Sequence, residues 1–213
     1  MRRPLAVLLD MDGTLVDAFA PIIHALNCTL KEFGLPTMSD TEVKRHTGKG
    51  ECSMISLFGE HREIAARRFL EFHDQRMFDI QPLPGAENLL KWLYEHGIPA
   101  AIVTSKSQSR AEIQIEHLGW TRYFSAVVGL SEGRRQKPDP HTLQIACRYL
   151  DIAPAQTFMI GDGTADMKAA AALGSQPIGI SGHFSPEELR EAGAVLCFPN
   201  LNEVKSWLET AIC

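Results

Sequence analysis

Two aspartates stand directly after the first apolar run of the chain. The run Leu5–Leu9 leads into the sequence Asp-Met-Asp-Gly-Thr over residues 10–14. Alternate residues of an extended chain point the same way, so the carboxylates of Asp10 and Asp12 can face one site. Two carboxylates this close repel each other unless a cation lies between them or one holds a proton. A divalent metal with oxygen ligands would satisfy the pair; an acidic turn is the alternative.

A second pair of aspartates follows another apolar run. The run Phe158–Ile160 is followed by Gly-Asp-Gly over residues 161–163 and, a helical turn later, by Asp166. Glycine lets the backbone come close to a ligand. Asp162 and Asp166 suit a hard cation such as magnesium. Their alternative role is to cap the helix that follows.

Two further polar groups also follow apolar runs. Thr104 and the two residues after it come after Ile102-Val103, where a hydroxyl can donate to a phosphate oxygen. A helix N-cap would use the same residue type. Pro138 and Pro140 restrict the backbone after Lys137 and fix where this lysine points. A solvated surface charge is the alternative for Lys137.

The apolar runs are typical of strands buried on both faces of a parallel sheet. They lie at residues 5–9, 100–103, 126–128, 157–160, 177–180 and 195–198. Helices are predicted between them over residues 86–96, 109–118, 140–150 and 165–173, from Ser185 onward, and over about 202–210. This alternation predicts a doubly wound α/β sheet. Ligands bind beyond the carboxyl ends of such strands, so the four polar groups should converge.

One segment breaks the alternation. From about residue 15 to about residue 80 the pattern predicts helices and no strand, with helices over 21–33, from a capping box at 39–42, over 51–58 and over 62–78. We therefore expect an α/β core made of residues 1–15 and 82–213. A small helical bundle of residues 16–81 would interrupt this core after the first strand.

Composition excludes several classes of function. The chain has 213 residues, of which 45% are hydrophobic and 22% charged, an ordinary globular composition. A net charge of −5 disfavours nucleic-acid binding by bulk charge. The five cysteines are widely spaced and form no C-x-x-C pair, which favours reduced thiols in a cytoplasm over zinc or disulfides. No apolar stretch approaches the roughly 18 residues that span a bilayer, so we expect no membrane partner.

The four polar groups, in chain order and each after an apolar strand, resemble the motifs of the haloacid dehalogenase-like hydrolase superfamily. Motif one is similar to residues 10–14, motif two to Thr104, motif three to Lys137 and motif four to residues 161–166. The resemblance covers the whole chain. The inserted helices resemble the helical (C1-type) cap of the phosphoglycolate phosphatase and β-phosphoglucomutase branch.

The resemblance implies a magnesium-dependent phosphatase that acts on a small phosphate monoester, such as phosphoglycolate or a sugar phosphate. Asp10 would attack phosphorus and form an aspartyl phosphate, with Asp12 as general acid and base. Thr104 and Lys137 would hold the phosphoryl oxygens. Dehalogenases of the superfamily lack an aspartate at the position of Asp12, so its presence favours phosphoryl transfer.

The same resemblance implies the binding residues. Magnesium would bind Asp10, the backbone carbonyl of Asp12 and Asp162, with Asp166 nearby. On the core side, the residues that bind substrate would be Gly13, Thr104, Ser105 and Lys137.

The cap segment carries a basic loop at residues 45–50, between two short helices. Arg45 and Lys49 of this loop could meet an anionic group of the substrate, and a solvated loop is the alternative. The cap would close over the site, with hinges near residues 13–17 and 80–84.

Several alternatives remain open at this point. A sugar phosphomutase would use the same aspartyl phosphate, and pyrophosphatases or nucleotide phosphatases of the superfamily share the motifs. A non-catalytic protein that binds a phosphorylated metabolite is a different class, which the filled catalytic positions oppose. Ser105 stands where many relatives have asparagine, and Gly163 where they often have serine or threonine. A monomer and a homodimer both fit the sequence.

Overall fold

The structure is a computed structural model that describes residues 6–48 and 56–212. Its strands are β1 Ala6–Leu9, β2 Val16–Asp17, β3 Gln81–Pro82, β4 Ala100–Ser107, β5 Ala126–Leu130, β6 Thr157–Gly161, β7 Gln176–Ile180 and β8 Leu196–Phe198. Its α-helices are α1 Phe19–Glu32, α2 Asp40–Gly48, α3 Arg62–Asp74, α4 Ala86–Glu95, α5 Gln108–His117, α6 His141–Leu150, α7 Thr164–Leu173, α8 Pro186–Glu191 and α9 Leu201–Ile212. Short 3₁₀ helices cover Ser56–His61, Thr121–Tyr123 and Pro154–Gln156.

Six strands form one parallel sheet in the order β5-β4-β1-β6-β7-β8. Each apolar run of the sequence overlaps one of these strands, and the predicted α/β class is confirmed. The chain moves from β1 to one side of the sheet and then crosses to β6 on the other side. The carboxyl end of β1 therefore lies at the point where the strand order reverses, which is where such sheets bind ligands.

The central strand is buried on both faces. Val7 and Leu9 pack with Leu89 and Leu90 of helix α4 in one hydrophobic cluster. Leu8 points to the opposite face, into a second cluster that includes residues of α6 and α7. This alternation explains why β1 is an unbroken apolar run, since every side chain needs an apolar neighbour.

The helices of the inserted segment have a hydrophobic cluster of their own. Ile22, Leu26 and Leu30 of α1 pack against Val43 of α2 and Ala65 of α3. The predicted helix over 62–78 ends earlier, at Asp74. Most of the predicted helix over 51–58 lies outside the described residues.

The prediction that the inserted segment contains no strand is wrong at one place. Strand β2 pairs antiparallel with β3, with Val16 opposite Pro82 and Asp17 opposite Gln81. A strand of two residues is too short to show alternation, which is why the sequence does not reveal it. This ribbon joins the two connections between the core and the inserted segment.

Two further features bear on the expectations from composition. Cys28, Cys147 and Cys197 are free thiols; Cys52 and Cys213 lie outside the described residues. Among the helices of the described part of the chain, none has both the length and the apolar character needed to traverse a bilayer.

Candidate active site

Three aspartates meet at the carboxyl ends of β1 and β6. Asp10 follows β1, Asp162 follows β6, and Asp166 lies in the first turn of α7. All three residues are buried, and one carboxylate oxygen of each lies within 4.8 Å of the others. The two pairs of aspartates that the sequence singled out therefore contribute to one cluster.

A buried lysine is inserted between two of these carboxylates. Lys137 comes from the loop between β5 and α6, and its Nζ lies 2.6 Å from Asp10 Oδ1 and 2.6 Å from Asp166 Oδ1. The same ammonium group donates a hydrogen bond to the carbonyl of Val103, at 2.9 Å. With its side chain only 3% exposed, Lys137 has a fixed position beside Asp10. Lys137 is therefore not the solvated surface charge that the sequence left as the alternative.

Burial changes the proton affinity of the cluster. It raises the pKa of Asp10 to about 7, against the opposing charge of Lys137. It also raises the pKa of Asp162 well above its usual range, with the charges of Asp10 and Asp166 adding to the effect. Burial alone would lower the pKa of Lys137, but the charges of Asp10 and Asp166 outweigh it and raise that pKa.

The cluster fits a divalent cation. When all three carboxyl groups are ionised, they and the ammonium group carry two net negative charges in a buried space, and carboxylate oxygens are the ligands that a hard divalent ion takes. The site also lacks room for a side chain at Gly13, where φ is +88° and a Cβ would collide with the carboxylate of Asp162. Thr14 fixes that carboxylate by donating a hydrogen bond to Asp162 Oδ1, at 2.9 Å.

Asp166 caps the helix that follows it and also belongs to the acidic cluster. Its Oδ2 accepts a hydrogen bond from the backbone amide of Gly163, at 3.0 Å, and so caps helix α7. Its Oδ1 points to Lys137. Capping and participation in the cluster are therefore compatible in this residue.

The amino-acid sequence matches the family described as haloacid dehalogenase-like hydrolase over residues 7–180, which is most of the chain. The chain belongs to this family. It is accordingly an enzyme, a hydrolase, and the four motifs lie at the carboxyl edge of its sheet.

Two curated relatives and one solved structure define the similarity. A phosphoglycolate phosphatase of Xanthomonas campestris pv. campestris is 31% identical over 180 residues, covering 82% of this chain and 81% of the relative. A phosphoglycolate phosphatase of Rhodospirillum rubrum is 30% identical over 219 residues, covering 96% and 91%. The structure of a haloacid dehalogenase-like hydrolase from Streptococcus pneumoniae has a TM-score of 0.88 at 24% identity, covering 97% and 99%. The fold is thus shared over almost the whole chain.

The second aspartate of motif one has a partner of its own in this haloacid dehalogenase-like hydrolase. Lys106 Nζ lies 2.7 Å from Asp12 Oδ1, and the two side chains are 6% and 12% exposed. Among the described residues, the acidic cluster contains no side-chain atom of Asp12. The carboxylate of Asp12 is therefore held by Lys106 outside the cluster, and it lines the same cavity as the other three.

Motif two lies within a strand and not after one. β4 continues to Ser107, four residues beyond the predicted end, with an irregular register between Val103 and Ser107. Thr104 is buried there and accepts a hydrogen bond from the amide of Lys106, at 3.2 Å. Both Thr104 and Ser105 line the cavity above the aspartates.

That cavity, of about 320 Å³, lies between the core and the inserted helices. Its core side is formed by the motif residues, including Asp10, Asp12, Thr104, Lys137 and Asp162. Its other side is formed by residues of the inserted segment, which are Ile22, Leu26, Thr47, Phe58, Ala65, Ala66, Phe69, Leu70 and His73. The described part of this second wall is mainly apolar.

The structure places Arg45 away from the cavity. Its Nη1 donates to the carbonyl of His183, at 2.7 Å, and its Nη2 lies 2.6 Å from Glu188 Oε1. Arg45 thus connects the inserted segment to the loop after β7 and to helix α8. Lys49, the other cap residue predicted to bind substrate, lies outside the described residues.

The basic loop before Lys137, which contains Arg134 and Arg135, is held by contacts with other core residues. Arg134 donates to the carbonyl of Gly129, at 2.9 Å, and Arg135 pairs with Asp139, at 2.7 Å. Neither arginine lines the cavity as described. These contacts hold the segment that leads into Lys137.

Sequence reasoning missed several polar residues next to the site. In the sequence, Lys106 stands out only as part of motif two, and no motif singles out Gln114, Arg110 or His73. Gln114 had a signal, because it stands on the buried stripe of α5 with Ala111 and Ile115, where a polar residue needs a partner.

Proposed function

We propose that this protein is a magnesium-dependent phosphatase that hydrolyses a small phosphate monoester through an aspartyl phosphate on Asp10. The observation that carries the proposal is the buried contact of Asp10 with Lys137 inside a cluster of carboxylates that opens into the cavity. The relatives named as phosphoglycolate phosphatases support a compound of the phosphoglycolate class as substrate.

The first step forms the covalent intermediate. A carboxylate oxygen of Asp10 attacks phosphorus, and the bond between phosphorus and the leaving-group oxygen breaks. Asp12 gives its proton to that oxygen, so the leaving group departs as a neutral alcohol. Thr104 donates a hydrogen bond to the phosphoryl group, and Lys137 places its positive charge beside Asp10 and the transferring phosphoryl oxygens.

The second step releases phosphate. Water attacks the phosphorus of the aspartyl phosphate and gives a proton to the carboxylate of Asp12, which restores the acid. The bond between phosphorus and the Asp10 oxygen breaks, and Asp10 returns as a carboxylate. Splitting the reaction in this way replaces one difficult displacement with two easier ones.

Asp10, Asp162 and the backbone carbonyl of Asp12 would hold the magnesium ion, with Asp166 supporting the site. When bound, the ion supplies positive charge that neutralises and orients the phosphoryl oxygens. Thr14 keeps Asp162 in place for this role, and Gly13 leaves the space that the Asp162 carboxylate occupies.

Residues 16–81 act as the cap, and the remaining residues form the core. The ribbon of β2 and β3 contains parts of both hinge segments, residues 13–17 and 80–84. Closure about this ribbon would exclude bulk water from the aspartyl phosphate and select the leaving group by the shape of the cap wall.

The test is a phosphate-release assay with the purified protein and magnesium. The panel contains phosphoglycolate, sugar phosphates, nucleoside monophosphates and pyrophosphate, and acid-quenched samples are analysed by mass spectrometry for phosphate on Asp10. We expect free phosphate, a dependence on magnesium and a modified Asp10. Activity that is unchanged in excess chelator would disprove the metal requirement. Transfer between sugar positions without net phosphate release would identify a mutase instead.

A further inference from the structure

Lys106 and Gln114 form a buried chain of contacts that leads from Asp12 to the cap. Lys106 Nζ donates to Asp12 Oδ1, at 2.7 Å, and also to Oε1 of Gln114. The side-chain amide of Gln114 donates in turn to the backbone carbonyl of Met77. Met77 lies in the segment that returns from α3 to the core ribbon.

The chemistry of the partners leaves only one orientation for the Gln114 amide. An ammonium group only donates, and a carbonyl only accepts, so Oε1 must face Lys106 and the NH₂ group must face Met77. Gln114 is fully buried, so neither of its hydrogen bonds competes with water. The chain is therefore fixed at both ends, one in the core strand β4 and one in the returning segment of the cap.

We propose that Lys106 is a positioning residue for Asp12 and that Gln114 couples its position to the cap. This inference rests on the proposed function, in which Asp12 carries the proton. Because Lys106 holds Oδ1, Oδ2 is the oxygen that carries the proton to the leaving group and later receives the proton of the attacking water.

The coupling follows from the place of Met77. A movement of the cap that shifts the returning segment moves the acceptor of the Gln114 amide, and so changes the position of Lys106 and of the Asp12 carboxylate. The acid is then correctly placed only when the cap is in its closed position. A wrongly placed acid costs on the order of 10²-fold in rate for a displacement of about 1 Å.

The experiment compares two esters with the variant Lys106→Met, which keeps an unbranched side chain one atom shorter and removes the donor. An alkyl phosphate needs a proton on its leaving group, whereas p-nitrophenyl phosphate releases a stable anion. We expect kcat/KM to fall by about 10²-fold for the alkyl ester and by less than about threefold for the aryl ester, whose departure needs no acid. The magnesium concentration is saturating throughout.

A transient measurement separates positioning from general damage. With p-nitrophenyl phosphate, Lys106→Met should release about one equivalent of p-nitrophenol per enzyme in a fast burst and then turn over slowly. The burst is expected because the first step proceeds, while the attack of water is slow without a positioned base. Gln114→Leu should show the same selectivity with a smaller loss, about tenfold for the alkyl ester.

The matched control is Arg110→Met. Arg110 stands on the same helix as Gln114 and also contacts the cap, since its Nε and Nη2 lie 2.6 and 2.5 Å from the Asp74 carboxylate. It makes no described contact with Asp12. Arg110 also lines the cavity. We expect this variant to change kcat/KM for both esters by the same factor, because it removes a cap contact but leaves the Lys106–Gln114–Met77 hydrogen bonds that place the acid.

Three results would overturn the inference. They are an equal loss for both esters in Lys106→Met, no loss for either ester, or a selective loss in Arg110→Met. If Lys106→Met shows no cooperative thermal unfolding transition, Gln114→Leu tests the inference by the same criteria. Failure of the proposed function looks different, since the wild-type protein would then release phosphate from neither ester.

Discussion

The two walls of the cavity use polar side chains in different ways. On the core side, buried Lys137 pairs with both Asp10 and Asp166. Asp10 follows β1, Lys137 precedes α6, and Asp166 lies in the first turn of α7. On the cap side, the described wall is made mainly of aliphatic and aromatic groups such as Ile22 and Phe69. Under the proposed mechanism, the comparison assigns the chemistry to the sheet, whereas the cap wall would shape the space around the leaving group.

The largest expected effect comes from removing the nucleophile. Asp10→Asn keeps the shape of the side chain but lacks the charge that attacks phosphorus. We expect phosphate release to fall by on the order of 10⁴-fold or more, measured with the best ester of the panel at saturating magnesium. Full activity in this variant would show that Asp10 is not the nucleophile and would contradict the assignment of the chemistry to the core side of the cavity.

The next largest effect concerns the buried cation. Lys137→Met leaves Asp10 and Asp166 without their partner, so we expect a loss of free energy of unfolding of about 3–5 kcal/mol and a rate loss of about 10²–10³-fold. Urea unfolding at pH 8 and phosphate release measure the two quantities.

A surface pair with the same separation provides its control. Lys205 Nζ lies 2.6 Å from Glu209 Oε1 on helix α9, and both side chains are partly exposed. Lys205→Met should cost less than about 0.5 kcal/mol. Similar losses in the two variants would contradict the view that burial gives the Lys137 contact its importance.

Asp162 allows a test by pH. Burial and the charges of Asp10 and Asp166 raise its pKa well above the usual range, so the unfolded chain loses this proton at a lower pH than the folded chain does. The folded protein therefore loses stability as pH rises above the ordinary aspartate pKa. In chelator, Asp162→Asn should be more stable than the wild type at pH 8 by about 1–2 kcal/mol.

That difference should shrink as the pH is lowered, because the raised pKa lets the wild-type carboxyl take up its proton while the protein stays folded. Added magnesium should raise the Tm of the wild type and leave that of Asp162→Asn nearly unchanged, because a ligand of the ion is missing. If Asp162→Asn were less stable than the wild type in chelator at pH 8, ionised Asp162 would not be destabilising in the folded protein.

The smallest effect is expected on the cap side. Arg45 pairs with Glu188 and the His183 carbonyl outside the cavity, with about a third of its side chain exposed. We expect Arg45→Ala to change KM for phosphoglycolate by less than about threefold, as exposed pairs are weak. A rise of tenfold or more, confined to esters that carry a second anionic group, would instead support the sequence hypothesis that Arg45 meets the substrate.

The sequence predicted the core wall better than the cap wall. Asp10, Asp162 and Lys137 could be assigned because each lies next to a recognisable strand or proline-framed turn, and parallel strands bring their carboxyl ends to one edge. The contact of Lys106 with Asp12 could not be predicted. It depends on the irregular extension of β4 past Val103, and a lysine in a motif carries no information about which carboxylate it will meet.

In the cap, the helices could be predicted but the contacts of a side chain could not. The cap helices were recognisable from apolar spacing, yet Arg45 could not be placed, because its partner Glu188 lies far along the chain in α8. Charge type and loop position indicated a residue that binds anions. Only the folded arrangement reveals that the anion is a carboxylate of the same chain.

The ribbon of β2 and β3 has a consequence for how this chain can vary. Val16 lies opposite Pro82 and Asp17 opposite Gln81, so the inserted segment leaves the core and returns to it through neighbouring residues. The path of the sheet is therefore independent of the length of what is inserted, since short gaps between chain ends are where insertions are tolerated. The segment between residues 18 and 80 is in this sense an interchangeable part, and a different insertion could be joined at the same two residue pairs without moving Asp10.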